Sequence, residues 1–254
     1  MMLGSRAASD IDLVPHRLEA RPAGRLAVFG VPVRVDLSWL FGWGLATWTL
    51  SDSVMPALTP ARTPLAYGLA GGTAAALLLL SLAIHEAAHC VAARRAGIAV
   101  RRLTLSLFGG ATECEQAPPT AGAAFRIAVA GPLASLGTAV AAAMTHVVLV
   151  EHGGDQLAAT VMAIIAVGNL AVALLNLAPG LPLDGGAILF AGLWRLTGRQ
   201  DQAWRVARRA GRVVGAGVLG IAALAAVSGE TPLALWAGLV GFSIWISGPP
   251  ASSG

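Results

Sequence analysis

The chain alternates long apolar runs with short polar ones. The first run opens near Leu37 and lasts to about Leu58, with Trp39, Trp43 and Trp48 along it and Asp52 near its far end. The second, from Leu65 to Ala93, carries four consecutive leucines at 77–80 and exceeds the ~20 residues that cross a bilayer core as a helix. Further runs cover 122–150, 157–178, 213–228 and 232–247, the last two being shorter. Residues 97–117 differ in kind. Val100–Leu107 (VRRLTLSL) alternates apolar and polar residues, the period of a strand. Gly109 and Gly110 supply a turn before Ala111–Glu115, so this region is predicted to be a hairpin. Val31–Val35 (VPVRV) predicts a short strand ahead of the first run.

The expected architecture is an all-α integral membrane protein of about six transmembrane helices with a small membrane-associated β-hairpin or sheet. Residues 1–36 form a cytoplasmic N-terminal segment, 37–247 a six-span domain with its core at 65–192, and 248–254 a short polar tail. Nothing near the N-terminus resembles the apolar h-region of a cleavable signal peptide.

Composition agrees with this pattern. Apolar residues make up 56% of the 254 and charged residues only 12%, against about 45–50% and about 25% in soluble domains. Disorder, a collagen-like fibre and a disulfide-rich scaffold are excluded. Cys90 and Cys114 are too few for a disulfide framework and are expected to be small packed residues.

Charge adds orientation. All 17 basic residues are arginines, and the net charge is +4. A basic balance alone fits nucleic acid or an anionic membrane surface. With the N-terminus cytoplasmic, six spans place 16 of the 17 arginines on the inside, leaving Arg62 outside with Glu151, Asp155 and Glu230. That is the positive-inside pattern. Both termini are therefore expected in the cytoplasm, the partner is the lipid bilayer, and no nucleic acid is needed to explain the charge.

The candidate chemistry stands out against this apolar background. His85-Glu86-Ala87-Ala88-His89 lies near the end of the second run. Ionisable groups in a membrane helix are costly, so they mark function by default. Positions i and i+4 of a helix sit ~40° apart on one face, so both imidazoles can reach one metal ion. Glu86 is placed about 100° round from His85, beside the site and suited to take a proton from water. A zinc ion needs a third protein ligand. Asp36, Asp52, Glu113, Glu115, His146, His152 and Asp184 are all candidates. The topology sends His146 and His152 to the outer face, away from His85 and His89. Asp184 lies in NLAPGLPLDGG (176–186), where Pro179 and Pro182 break the helix. Broken backbone at membrane depth belongs where it is buried in protein or lines a cavity. Spacing alone does not join Asp184 to His89, which is 95 residues earlier.

An H-E-x-x-H helix followed by N-x-x-P-x-x-P-x-D-G-G resembles the site-2 protease family of intramembrane metalloproteases. Val31–Val35, Leu107–Gly110 and Ala130–Leu133 are also similar to segments of that family. The resemblance implies one Zn2+ per chain held by His85, His89 and Asp184, with Glu86 as general base. It implies that Asn176 positions substrate or polarises the scissile carbonyl. The implied activity is zinc-dependent endopeptidase cleavage within or near a transmembrane segment of a membrane protein. An anti-sigma or pro-sigma type regulator in a bacterial inner membrane is the implied class of substrate. No insertion of PDZ size and no CBS pair are expected, so the pattern resembles a short form of the sporulation-type branch. The edge of the hairpin at 100–113 is expected to hold an unwound substrate by strand addition. The rival reading is a membrane metal-ion transporter using the same His and Asp residues. The apolar stretch Ala74–Leu80 offers such an ion no polar path outward.

Overall fold

The structure is a computed structural model that describes residues 27–28, 30–106 and 109–246. The N-terminal segment up to residue 26, Leu107, Phe108 and the polar tail lie outside the described residues. Among the described residues, four helices are long and apolar enough to cross a membrane: α3 (Pro64–Arg95), α4 (Ala121–Glu151), α5 (Gln156–Asn176) and α7 (Gln200–Val227). Three of them begin at side-chain caps. Thr63 Oγ1 accepts from the Ala66 amide, Thr120 Oγ1 from Ala123 and Asp155 Oδ1 from Ala158, each satisfying an amide that the helix cannot. Large apolar side chains such as Leu65, Leu133, Val140 and Leu224 point outward, as a lipid-facing surface requires.

The remaining two expected spans take other forms. The run at 37–58 is three consecutive pieces: α1 (Ser38–Thr49), a π-helical turn (Leu50–Val54) and α2 (Met55–Leu58). The π turn falls on LSDSV, where Ser51 packs so tightly on α3 that a Cβ at Gly71 would overlap its Oγ. The last run forms α8 (Thr231–Ile246), apolar throughout but only 16 residues long. Two further features depart from the sequence reading. Helix α7 starts at Gln200, well before the apolar run, because its first half is an amphipathic, arginine-rich extension of the span. The predicted loop between the fourth and fifth runs contains a helix, α6 (Asp184–Thr197), whose 14 residues are too few to register as a span.

The sheet is small and lies over one end of α3. Its order is β1 (Ala27–Val28), β2 (Val31–Val35), β3 (Val100–Ser106), β4 (Gly109–Cys114). The expected hairpin is the antiparallel β3–β4 pair, and the expected VPVRV strand joins it in parallel, with Val33 opposite Leu103 and Val35 opposite Leu105. Alternation along β3 buries Leu103 and Leu105 with Val31 and Cys90, the last belonging to α3. Gly109 and Gly110 are not the turn. They pair with Ser106 and Leu105 as strand residues, for a reason that lies in the site. Cys114, expected to be packed, is exposed at the end of β4; Cys90 is buried.

The other end of α3 has an ordinary apolar core. Ala74 and Ala75 pack with Leu50 and Met55 of the bent first element and with Val161 and Ile165 of α5. The Trp236 indole of α8 donates to Thr49 Oγ1, joining the last helix to the first.

Candidate metal centre

The H-E-x-x-H residues lie in the last three turns of α3, on the face that packs against protein. His85, Glu86 and His89 are all buried. Helix α4 runs back along α3 and supplies the wall. His85 Nδ1 lies 2.9 Å from Ser135 Oγ, and His89 Nδ1 lies 2.8 Å from the Ile127 carbonyl oxygen. A carbonyl only accepts, so Nδ1 of His89 carries the proton and its Nε2 bears a lone pair in the neutral ring. Between these two anchors, Gly131 lets the helices meet. A Cβ there would overlap Nε2 of both histidines. Pro132, inside α4, has no amide to give to the preceding turn.

Asp184 arrives from the other half of the chain. Helix α5 ends at Asn176, the chain reverses through 177–183, and α6 starts with Asp184 as its first residue. The reversal requires glycine at two positions. A Cβ on Gly185 would overlap the Leu177 and Ala178 carbonyl oxygens, and one on Gly186 would overlap the Leu181 amide nitrogen. The Leu181 amide donates to the Ala207 carbonyl, which ties the reversal to α7.

Asp184 Oδ2 lies 3.1 Å from His85 Nε2, Asp184 Oδ1 lies 3.1 Å from His89 Nε2, and the two Nε2 atoms are 3.3 Å apart. These are the ligand atoms of the one candidate metal group among the described residues. Bonds of about 2.0–2.2 Å in a tetrahedral arrangement set ligand atoms roughly 3.3–3.5 Å apart. The triangle has nearly that size. Each carboxylate oxygen faces one Nε2, the arrangement of two ring-to-carboxylate hydrogen bonds and equally of three ligands converging on one cation. The donor set of two imidazoles and one carboxylate is that of a catalytic zinc site with an open position.

Glu86 stands next to this triangle. Its side chain lies against β4, where a Cβ at Gly110 would overlap Glu86 Cγ and Cδ. This contact explains why Gly110 is a strand residue: β4 needs a residue without a side chain to cross over the glutamate. Asn176 is the last residue of α5, and its Nδ2 donates to the Val172 carbonyl of the same helix. No described hydrogen bond joins it to His85, Glu86, His89 or Asp184.

The other ligand candidates are elsewhere. Asp36 Oδ1 accepts from the Ser38 amide, and its hydrogen bonds to Ser38 hold its carboxyl below the usual carboxylate range. Asp52 is exposed in the π turn, whose neighbour on α3, Gly71, lies 14 residues or ~21 Å of helix before His85. Glu113 pairs with Arg102 at 3.6 Å, and Glu115 is exposed. His146 Nδ1 meets the Ala159 carbonyl and His152 Nδ1 the Val148 carbonyl, both at the far end of α4. Gly131 falls in the Ala130–Leu133 segment noted above without a role at the centre, and nothing in the sequence pointed to Ser135. Their signal is weak: a hydroxyl and a glycine within one turn of a proline in an otherwise apolar helix.

The family model of peptidase family M50 matches residues 73–158 and 149–219, which include the whole centre. The chain belongs to peptidase family M50. Two curated members of similar sequence are named "Putative zinc metalloprotease": Rip3 of Mycobacterium tuberculosis, 38% identical over 230 residues, and sll0528 of Synechocystis, 34% identical over 220. The alignments cover 89% and 85% of this chain but 57% and 56% of those proteins. The chain thus spans a little over half the length of these M50 relatives. Its fold is that of the "Site-2 Protease from Methanocaldococcus jannaschii", with a TM-score of 0.58 over 87% of this chain and 92% of that one at 20% identity. The membrane helices, the M50 family and its zinc metalloproteases form one consistent picture.

Proposed function

We propose that the chain is a zinc-dependent intramembrane endopeptidase that cleaves a membrane protein within or beside its transmembrane segment. The observation that carries this reading is the triangle of His85 Nε2, His89 Nε2 and Asp184 with the Glu86 carboxylate beside it. In this reading His85, His89 and Asp184 hold one zinc ion per chain. When bound, zinc supplies a Lewis acid that lowers the pKa of water and polarises a carbonyl. Glu86 takes the proton of the attacking water at its carboxylate and passes it to the leaving amine. Ser135 and the Ile127 carbonyl hold the two rings with Nε2 toward the centre. Asn176 turns its amide from Val172 to the scissile carbonyl oxygen, at the cost of one intrahelical hydrogen bond.

A helical substrate hides its amides and must unwind before it can be cut. Strand β4 ends the sheet, and Gly110 lies against Glu86, so its outer edge offers an extended peptide backbone hydrogen bonds next to the base. The arginine distribution favours an inner-membrane protein with cytoplasmic termini, and the centre lies at the arginine-rich end of α3. A membrane-tethered anti-sigma or pro-sigma regulator is the substrate class this placement suits.

Glu86→Gln tests the proposal. Cleavage of a co-expressed membrane substrate is expected to fall by at least ~10²–10⁴-fold, the contribution of general acid–base catalysis, while zinc per chain stays the same. Undiminished cleavage would falsify the role of Glu86. Zinc transport that survives in Glu86→Gln, with no cleavage by either form, would instead establish the transporter.

A further inference from the structure

A groove of about 790 Å3 lies on the side of α3 and α4 away from the sheet-covered centre. Leu80, Ile84 and Val91 of α3 and Val129 and Leu133 of α4 form its walls, with alanines between them. Among the described residues, the only polar side chains lining it are Arg95 and Arg126. Both stand at the same end, since α3 finishes where α4 begins and the contacts His89–Ile127 and His85–Ser135 set the helices antiparallel. No carboxylate among the described residues lines the groove, and none of the described ion pairs uses either arginine.

We propose that this groove binds one anionic phospholipid, with its phosphate between Arg95 and Arg126 and an acyl chain along the alanine floor. Three features select that occupant. The groove extends from Leu80 to Arg95, 15 residues or ~22 Å of helix, which spans the ~15 Å of one hydrocarbon leaflet and reaches the headgroup layer. Its charge is positive at one end only, complementary to a lipid with an anionic head and an apolar tail. Two guanidinium groups suit the oxygens of a phosphate better than point charges do, and basic pockets between membrane helices on the cytoplasmic side are a recognised setting for anionic headgroups. Single arginines at helix ends reach toward whatever headgroup passes. Two arginines sharing one concave, chain-sized groove make a site. Ile84 and Ala88 line it while His85 and His89 face the other way on the same turns of α3, so the lipid would brace the metal-binding helix from behind.

The test is native mass spectrometry of the full chain in detergent, titrated with phosphatidylglycerol or phosphatidylcholine. One phosphatidylglycerol is expected to be retained with about 30-fold preference, from about 5-fold per arginine. The double substitution Arg95→Gln/Arg126→Gln should remove the preference, whereas Arg205→Gln/Arg209→Gln, which takes the same charge from α7, should keep it. Ala92→Phe, which fills the groove and leaves both arginines, should lower retention of both lipids. Equal retention of the two lipids by the unmodified chain would overturn the proposal, as would equal losses in the two double variants. Displacement by millimolar inorganic phosphate would reassign the arginines to a free anion, and a co-purifying peptide in place of lipid would make the groove a protein contact. Binding is read without turnover, so this result stands apart from the proteolytic reading.

Discussion

Helix α3 joins two regions that are built in opposite ways. Toward its start, Ala74 and Ala75 meet Leu50, Met55, Val161 and Ile165, and no buried charge or ring nitrogen takes part. Toward its end, two imidazoles, two carboxylates and a hydroxyl crowd within hydrogen-bonding reach of one another or against glycine. In lipid the first region gains little from removing apolar groups from water, because the solvent outside is itself apolar; it depends on close packing. The second is held by directional contacts whose partners come from α4, α6 and β4. One region is held by the fit of many apolar surfaces, and the other by a few named atoms.

The largest expected break in this comparison is Gly131→Ala. Its Cβ would enter the space of both Nε2 atoms, so zinc per chain should fall from near one to near zero and cleavage should vanish. Full zinc occupancy in that variant, measured by elemental analysis, would mean that α4 is not the wall described. Next comes Ser135→Ala, which leaves the His85 ring unanchored at Nδ1. Loss of such an outer partner typically weakens metal binding by about 10–100-fold, which competition with a chromogenic chelator would measure. An unchanged affinity would reduce Ser135 to a packing residue. At the other end of α3, Met55→Ala should cost ~2 kcal/mol or more in unfolding experiments in mixed micelles, with zinc affinity of the folded chain unaltered. A parallel loss of zinc would show that the two regions are coupled. The smallest effect is expected from Gly137→Ala, six residues along α4 from Gly131, where a Cβ meets nothing. Helix propensity favours alanine there by up to ~1 kcal/mol, so zinc content and cleavage should be unchanged.

The same contrast explains what could be read from sequence. Long apolar runs announce themselves by composition, so α3, α4 and α5 lie close to where the runs placed them. H-E-x-x-H is a local signal on a single helix face, and NLAPGLPLDGG is conspicuous because prolines and an aspartate interrupt an apolar stretch. The rest depends on neighbours distant in the chain. Nothing within α4 says that Gly131 faces two imidazoles or that Ser135 reaches the His85 ring of α3. Gly109 and Gly110 look like a turn until Glu86 is placed against Gly110. The amphipathic first half of α7 and the short α6 lack the unbroken apolar length that marks a span, and Ser51 against Gly71 is a steric fit that no periodicity encodes.

The gap of 95 residues between His89 and Asp184 has a meaning for biogenesis. At ~5–20 residues per second of synthesis, α3 emerges ~5–20 s before the carboxylate that completes its triangle. During that interval the nascent chain holds a pair of histidines and a glutamate but no closed centre. The reversal at 177–186 must also wait for α7, whose Ala207 carbonyl receives the Leu181 amide. The third corner of the triangle is thus supplied only after two further helices, α4 and α5, have been made, and the order of the helices acts as a safety catch.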